Sequence, residues 1–230
     1  RHLVQIESPT LVADVGPVSA QADPRTLALI GTQLFAVDGN GQQLFHIDAN
    51  TGTSEPITLP DGLGTIRRAL PETKTSVLLV GSSGLATYTP KTKKATTVAL
   101  ARASAGESID DATLFSSRLY VWAKDQQQIF RHTRSSAGFG LGSAWLNDPS
   151  SADLENVASI GVNGLLYTLA NDGSILQYSQ GIKASFEAVA PDPAWKNPNV
   201  IWANENTTDL FVADPGERRI VQYNKSGTIV

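Results

Sequence analysis

Apolar residues along the chain fall in short continuous or alternating runs, and no segment sustains a 3.6-residue apolar period. That pattern predicts strands, with helices short or absent. One arrangement recurs five times: an apolar strand, a polar turn, then an alternating strand. The copies run from Leu34-Phe35-Ala36-Val37-Asp38 to Leu44-Phe45-His46-Ile47, and from Val77-Leu78-Leu79-Val80-Gly81 to Leu85-Ala86-Thr87-Tyr88. They continue from Leu119-Tyr120-Val121-Trp122 to Ile129-Phe130-Arg131-His132, and from Leu166-Tyr167-Thr168-Leu169 to Ile175-Leu176-Gln177-Tyr178. The last runs from Leu210-Phe211-Val212-Ala213-Asp214 to Ile220-Val221-Gln222-Tyr223. The first residues of these copies lie 42 to 47 positions apart, a period that suits a four-stranded propeller blade.

Each unit has an inner strand before its apolar anchor: Leu27–Ile30, Ile66–Leu70, Ala112–Phe115, Val157–Val162 and Val200–Ala203. Outer strands are expected at Pro56–Leu59, Ala95–Leu100, Ser143–Leu146 and Ser185–Val189. Turns rich in Gly, Asn and Asp separate the strands, because these residues tolerate the positive φ of tight hairpins. The expectation is an all-β chain, a β-propeller of four-stranded antiparallel blades forming a single domain over residues 1–230. The blades span about 25–60, 65–101, 109–147, 156–190 and 198–230. The fifth unit reaches Val230 after its third strand, and an open sheet edge invites aggregation. Five blades are therefore preferred, with residues 1–15 completing the last through His2–Ile6 or, second, Thr10–Val15. A six-bladed ring whose last blade lies beyond Val230 is the alternative. Methionine is absent, even at position 1, and this favours a processed or excised piece of a longer chain.

The segment Asp209–Gly227, with Val212-Ala213-Asp214, Arg219-Ile220 and Asn224-Lys225-Ser226-Gly227 in order, resembles an NHL-type propeller repeat. Leu34–Asp48 and Leu119–His132 are weaker copies. Ser159–Gly181, with Gly164-Leu165-Leu166-Tyr167 and Asp172-Gly173-Ser174-Ile175, is similar to blades in surface-exposed propeller domains of bacterial membrane proteins. NHL-like propellers bind proteins, RNA or small ligands, and a few are lyases, so the resemblance implies fold more than function. It implies an extracytoplasmic or cell-surface location, as part of a larger bacterial protein that is membrane-anchored. The Gly-His and Trp-Asp pairs of WD40 repeats do not occur.

Composition narrows the function. The 230 residues carry a net charge of −4, which argues against a nucleic-acid partner, since phosphate contacts need a basic face. No apolar run approaches the roughly 18 residues of a membrane span. Cysteine is absent, which excludes disulfides, thiolate zinc sites and thiol catalysis.

Candidate chemistry is sparse. His132 replaces a repeat tyrosine and is expected to pack between blades, whereas His46 falls on a polar face. No catalytic set and no metal centre follow from them, and no cofactor is called for. Asp38 and Asp214 share one repeat position, where a carboxylate accepts from turn amides. Asp38-Gly39-Asn40-Gly41 and Asp61-Gly62-Leu63-Gly64 lack the ligand order of a calcium loop. Gly138-Phe139-Gly140-Leu141-Gly142 precedes a strand rather than a helix, so it cannot cradle phosphate and reads as a loop into the third outer strand. Trp122 and Trp202 are expected in the core, and Trp145 and Trp195 in connections between blades.

The most informative location is the mouth of the central channel, where the starts of the inner strands converge. The candidate ligand-binding residues are Arg67, Arg68, Asp110, Asp111, Glu155, Asn156 and Asn199, with Trp195 as a stacking surface. Arginines there would clamp a carboxylate or phosphate; the competing reading pairs these charges with one another or leaves them solvated. The expectation is a non-catalytic module binding a protein or small polar ligand. A lyase or hydrolase using Asp110, Asp111 or Glu155 as acid or base, and a structural spacer, are the alternatives.

Overall fold

A computed structural model of the chain describes residues 10–20, 22–38, 40–104 and 107–230. Among the described residues every regular element is a strand, apart from four 3-10 turns of three residues each. They form two compact units, one of residues 10–101 with Ser135–Gly140, the other of Arg102–Arg134 with Leu141–Val230.

In the first unit, β1 (Pro24–Ile30), β2 (Gln33–Asp38), β3 (Leu44–Asp48) and β4 (Ser54–Pro56) make one antiparallel sheet in chain order. A second follows the same order with β5 (Ile66–Thr73), β6 (Ser76–Gly81), β7 (Leu85–Thr89) and β8 (Lys94–Leu100). In the other unit the third sheet has β9 (Asp111–Phe115), β10 (Arg118–Ala123) and β11 (Gln128–Ser135). The Gly-rich stretch expected to lead into its outer strand instead places β12 (Gly138–Phe139) parallel to β8 of the second sheet. Gly138 permits this, for a Cβ there would strike the backbone of Ala99. β13 (Ser143–Ala144) then pairs with β11 as outer strand. The fourth sheet has β14 (Val157–Val162), β15 (Leu166–Ala170), β16 (Ile175–Ser179) and β17 (Ile182–Ala184). The fifth has β18 (Val200–Trp202), β19 (Leu210–Asp214) and β20 (Arg219–Tyr223).

Two expectations shift. The fourth outer strand was expected at Ser185–Val189 but forms at Ile182–Ala184, because Gln180 and Gly181 both take positive φ, 52° and 82°, and close a two-residue hairpin. Thr10–Val15 carries no strand. The amides of Val18 and Ser19 turn back onto the Val15 carbonyl, and Ala13, Val15, Val18 and Ala22 pack over Ala36, Phe45 and Ile47 of the first sheet. His2–Ile6 lies outside the described residues. Beside β20, Ile229 bridges Tyr223 and the Val230 amide donates to the Gln222 carbonyl at 3.0 Å.

Alternation sorts each sheet into two faces. One face, here the leading face, is Phe35, Val37 and Leu44 in the first sheet, and it packs on Val77, Leu79, Ala86 and Tyr88, the trailing face of the second. Within the other unit the leading residues Tyr120, Trp122 and Ile129 pack on Ile160, Val162, Leu166 and Tyr178. Tyr167, Leu169 and Ile175 likewise meet Ile201, Leu210, Val212 and Tyr223. Central strands such as β6 are buried on both faces, which is why they read as continuous apolar runs rather than alternating ones.

Every sheet also ties the end of its second strand to the start of its first. Asp214 accepts from the amides of Asn197 at 2.8 Å and Lys196 at 3.4 Å, and Asp38 accepts from the Asp23 amide at 2.6 Å. These carboxylates were expected to hold their own hairpins; they hold amides 15 to 18 residues earlier in the chain. In the third sheet the acid changes sides, Asp110 accepting from the Lys124 amide at 2.8 Å. The second sheet uses Ser82, whose amide donates to the Thr65 carbonyl and whose hydroxyl accepts from the Thr65 amide. The fourth uses backbone alone, Asn171 N to Asn156 O at 3.0 Å.

The Asp214 tie generates a prediction. Burial works to raise its pKa, but the Asn197 amide, the Arg219 guanidinium and the Lys196 amide outweigh it and hold the carboxyl below its ordinary value of 3.8. A depressed folded pKa contributes stability above the ordinary value, lost as pH falls through the folded one. Thermal unfolding should therefore show a loss of stability below about pH 4 that Asp214→Asn blunts. Asp214→Ala should cost about 3 kcal/mol at pH 7, since it strands the Arg219 guanidinium and two amides.

Candidate functional site

The starts of the inner strands β9, β14 and β18 lie in one unit and these strands neighbour one another in that order. Five of the candidate residues stand there. Asp110 is half-buried, and one carboxylate oxygen accepts from both Ser108 Oγ at 2.6 Å and the Lys124 amide. Asp111 is buried and its Oδ2 accepts from the Ile160 amide of the next inner strand at 2.8 Å. Glu155 and Asn156 are exposed in the turn before β14. Asn199 is half-buried; its amide donates to the Ala213 carbonyl, and its side-chain Oδ1 is shielded from solvent with no hydrogen-bond partner among the described residues.

The two arginines belong to the other unit. Arg67 is exposed on β5, and Arg68, its neighbour, is buried and paired in register with Val80. Arg67 is the extra residue of a bulge between the register pairs Ile66–Gly81 and Arg68–Val80, and it stands in solvent while Arg68 is buried. Trp195 is half-buried beside sheet four: a Cβ on Gly173 would strike its indole, and the Arg219 guanidinium lies 5.4 Å from its ring centre. Arg219 in turn donates to Asp214 and to the Ala194 carbonyl. Trp195 therefore fills a gap while keeping one edge open. Trp145 packs edge-on to Tyr120 at 5.9 Å.

The histidines serve elsewhere. His132 is fully buried, as its repeat position foretells, with Nε2 3.0 Å from Glu107 Oε1. Glu107, also buried, accepts through its other oxygen from the Ala103 amide. Gly142 lies against the imidazole, where a Cβ would come within 2.5 Å of Cε1. In the same repeat position Tyr178 donates to the Ala152 carbonyl and Tyr223 to that of Val189 at 2.9 Å; burial pushes Tyr223 up to about 12. All three rings thus hold the connection that precedes their sheet. His46 is half-buried rather than on an open polar face, stacked parallel on Phe35 at 5.1 Å. Its ring nitrogens face Glu55 at 3.2 Å and Gln33 at 2.5 Å. Lys93 pairs with Glu55 at 2.6 Å and, as a hydrogen-bond donor, lowers its pKa. Among the described residues no cluster of three or more His, Asp or Glu is placed to hold a metal.

Two residues were invisible to sequence reasoning. Glu107 has no motif, and only the histidine standing in a tyrosine position hints at a buried partner. Ser159 occupies the register position of Asp111, and its hydroxyl accepts from the Ile201 amide at 3.1 Å as Asp111 does from Ile160. Trp202, expected in the core, is 46% exposed, because it lies on the leading face of the fifth sheet, where nothing among the described residues packs. With Val200, Phe211, Ala213 and Ile220 it lines a shallow apolar concavity of about 350 Å³.

No known protein family matches the chain by sequence, and no characterised protein matches it either. Solved structures do. A catalytically inactive virginiamycin B lyase from Staphylococcus aureus superposes with a TM-score of 0.61 at 16% identity, over 91% of this chain and 69% of that one. A chain of the nidogen/laminin complex gives 0.63 at 10% identity, over 88% and 76%. A gluconolactonase from Xanthomonas campestris gives 0.61 at 9% identity, over 91% and 75%. The fold is a β-propeller. Its four-stranded antiparallel sheets are the blades, and at these identities the likeness concerns the fold alone. The similar structures include both enzymes and a protein of an assembled complex. Among the described residues no helix is long and apolar enough to cross a membrane.

The buried His132–Glu107 pair is open to a direct test. His132→Phe leaves the Glu107 carboxylate buried without the imidazole and should cost about 3 to 5 kcal/mol in denaturant unfolding. The double variant His132→Phe/Glu107→Leu should recover part of that loss, giving a coupling energy that an additive pair would lack.

Proposed function

We propose that this propeller is a non-catalytic binding module, with an NHL-type last blade, that takes a partner protein or small polar ligand at the starts of its inner strands. The observation that carries this reading is the state of the polar groups there. Asp110 and Asp111, the acids best placed for proton transfer, already accept hydrogen bonds from Ser108, Lys124 and Ile160. Both carboxylates thereby serve to hold protein groups in place. What is left is the exposed Glu155, the exposed Asn156, and the shielded Oδ1 of Asn199 that still needs a donor. A buried acceptor without a partner is costly, and a ligand N–H or O–H reaching Asn199 would satisfy it. Neutral amides recognise polar ligands without exchanging protons. Arg67, exposed on β5, is the cationic candidate in its own unit. We place the protein outside the cytoplasm, on the resemblance of its fourth repeat to cell-surface propeller blades and on its lack of cysteine.

A thermal-shift screen with carboxylated, phosphorylated and uncharged polar ligands tests the reading, because a ligand that binds only the native state raises its apparent stability. Asn199→Leu should weaken the responding ligand at least about tenfold, or 1.4 kcal/mol, with the ligand-free melting temperature little changed. If instead a responding ligand is turned over, and Glu155→Gln stops turnover while leaving its binding intact, the lyase or hydrolase reading replaces this one.

A further inference from the structure

Where the first sheet packs on the second, His46 stands with a hydrogen-bond acceptor on each ring nitrogen. It lies on β3 opposite Phe35, stacks on that ring, and meets Tyr88 of β7 edge-on at 5.9 Å. Gln33 of β2 faces Nε2. The Gln33 amide is fixed in orientation, because its Nε2 donates to Asp48 Oδ2 at 3.0 Å. Hydrogen bonds from Gln33 and from the Asn50 amide hold the Asp48 carboxyl below its ordinary value, so Asp48 is an anion that only accepts. Gln33 must therefore give the carboxylate its NH2 group and the imidazole its oxygen. Nδ1 faces Glu55 Oε1 at 3.2 Å, from the register partner of His46 on β4. Glu55 is likewise an anion, held so by Lys93 of the second sheet. A neutral imidazole has one N–H and an imidazolium two. Only the imidazolium satisfies both acceptors.

One more group reaches the ring. Tyr88 Oη lies 3.5 Å from Nδ1, and a phenol donates as well as accepts. Burial raises the Tyr88 pKa, so its hydroxyl keeps its proton. Among the described residues the titratable groups around His46 are thus Asp48 on its own strand, Glu55 on β4, and Tyr88 and Lys93 from the second sheet. Losing a proton from Nε2 would set that nitrogen against the Gln33 oxygen, with no donor to replace it. At Nδ1 a replacement donor stands ready. We propose that His46 is a proton-operated switch between the first two sheets. Protonated, it donates through Nδ1 to Glu55, and the chain His46–Glu55–Lys93 ties sheet to sheet; the stacked face of Phe35 also favours the cation. Neutral, it keeps hydrogen on Nε2 and accepts at Nδ1 from the Tyr88 hydroxyl, while Glu55 pairs with Lys93 alone. The tie passes from an outer-strand carboxylate to a core tyrosine, and β4, three residues long, loses a side-chain bond to β3. The inference is independent of ligand binding at the inner-strand starts.

Nitrogen-15 NMR of the 230-residue protein from about pH 5 to 9, spanning the range in which histidines change charge, provides the test. The His46 signals are assigned by their absence from His46→Gln. Both ring nitrogens should be protonated at the acid end, and only Nε2 at the alkaline end. Glu55→Gln removes the anion that holds the cation and should lower the midpoint. Tyr88→Phe removes the donor that serves the neutral ring and should raise it, each by about half a pH unit or more. Circular dichroism melts matching the unsubstituted protein establish that the variants fold; should Tyr88→Phe fail to, the tautomer of the neutral ring decides in its place. A ring that stays in one protonation state across the range overturns the switch. So does a neutral ring protonated at Nδ1. Two variants that move the midpoint the same way, or not at all, overturn it as well, since His46 would then serve only as packing.

Discussion

The tie between the end of each second strand and the start of each first is the constraint on which the blades depend. An inner strand reaches its sheet after a long connection, and its first amides point away from any ladder partner. Left unpaired where packing shields it from water, such an amide would cost more than an average hydrogen bond contributes. Three sheets pair these amides, with a second-strand carboxylate at Asp38 and Asp214 and the hydroxyl of Ser82; in the third and fourth the corner is tied the other way, the Lys124 amide donating to Asp110 and the Asn171 amide to the Asn156 carbonyl. The geometry is held constant while the chemistry varies. That edge is also where inner-strand residues meet solvent, so a side chain there is free to bind a ligand only if another group holds the corner. In the fifth sheet Asp214 secures the corner from the neighbouring strand, and the Asn199 side chain takes no part in the tie; in the third, Asp110 is itself the tie.

A second constraint acts at the far end of the third strands. Buried aromatic rings with a polar tip hold the incoming connection, Tyr178 through Ala152 and Tyr223 through Val189. Where His132 stands in for tyrosine, its ring is shorter than a phenol, and the acceptor changes from a carbonyl to the Glu107 side chain, with Gly142 making room for the imidazole. The three substitutions form one solution. A histidine at that position without the carboxylate and the glycine would strand a buried polar group.

Much of the architecture was legible because period and alternation are local properties of the chain. The five anchors, the strand β14 at Val157–Val162 and the burial of Trp122 follow from pattern alone. The hairpin at Gln180–Gly181 and the αL residues Lys93, Gln127 and Arg218 did not. Their positive φ is imposed by strand register rather than invited by side chains, and at Asp214-Pro215-Gly216 the left-handed residue is Arg218, not the glycine. The site was legible only as a neighbourhood. Sequence order places Asp110, Asp111, Asn156 and Asn199 at equivalent points of successive repeats, but it cannot tell an engaged carboxylate from a free amide. That distinction rests on partners such as Lys124, brought near by strand pairing, and Ile160, brought near by the packing of the next sheet.

The same packing explains why the fifth sheet differs from those before it. Asp111 and Ser159 each supply the acceptor for an amide of the next inner strand, and Gly161 allows the close approach, with Ala203 N 3.3 Å from where its Cβ would stand. In the fifth sheet the corresponding residues are Val200 and Trp202. Valine offers no acceptor, and an indole in the place of glycine holds any opposing strand farther off. A sheet seated there gains apolar area but not the hydrogen bond that fixes strand against strand in the internal interfaces.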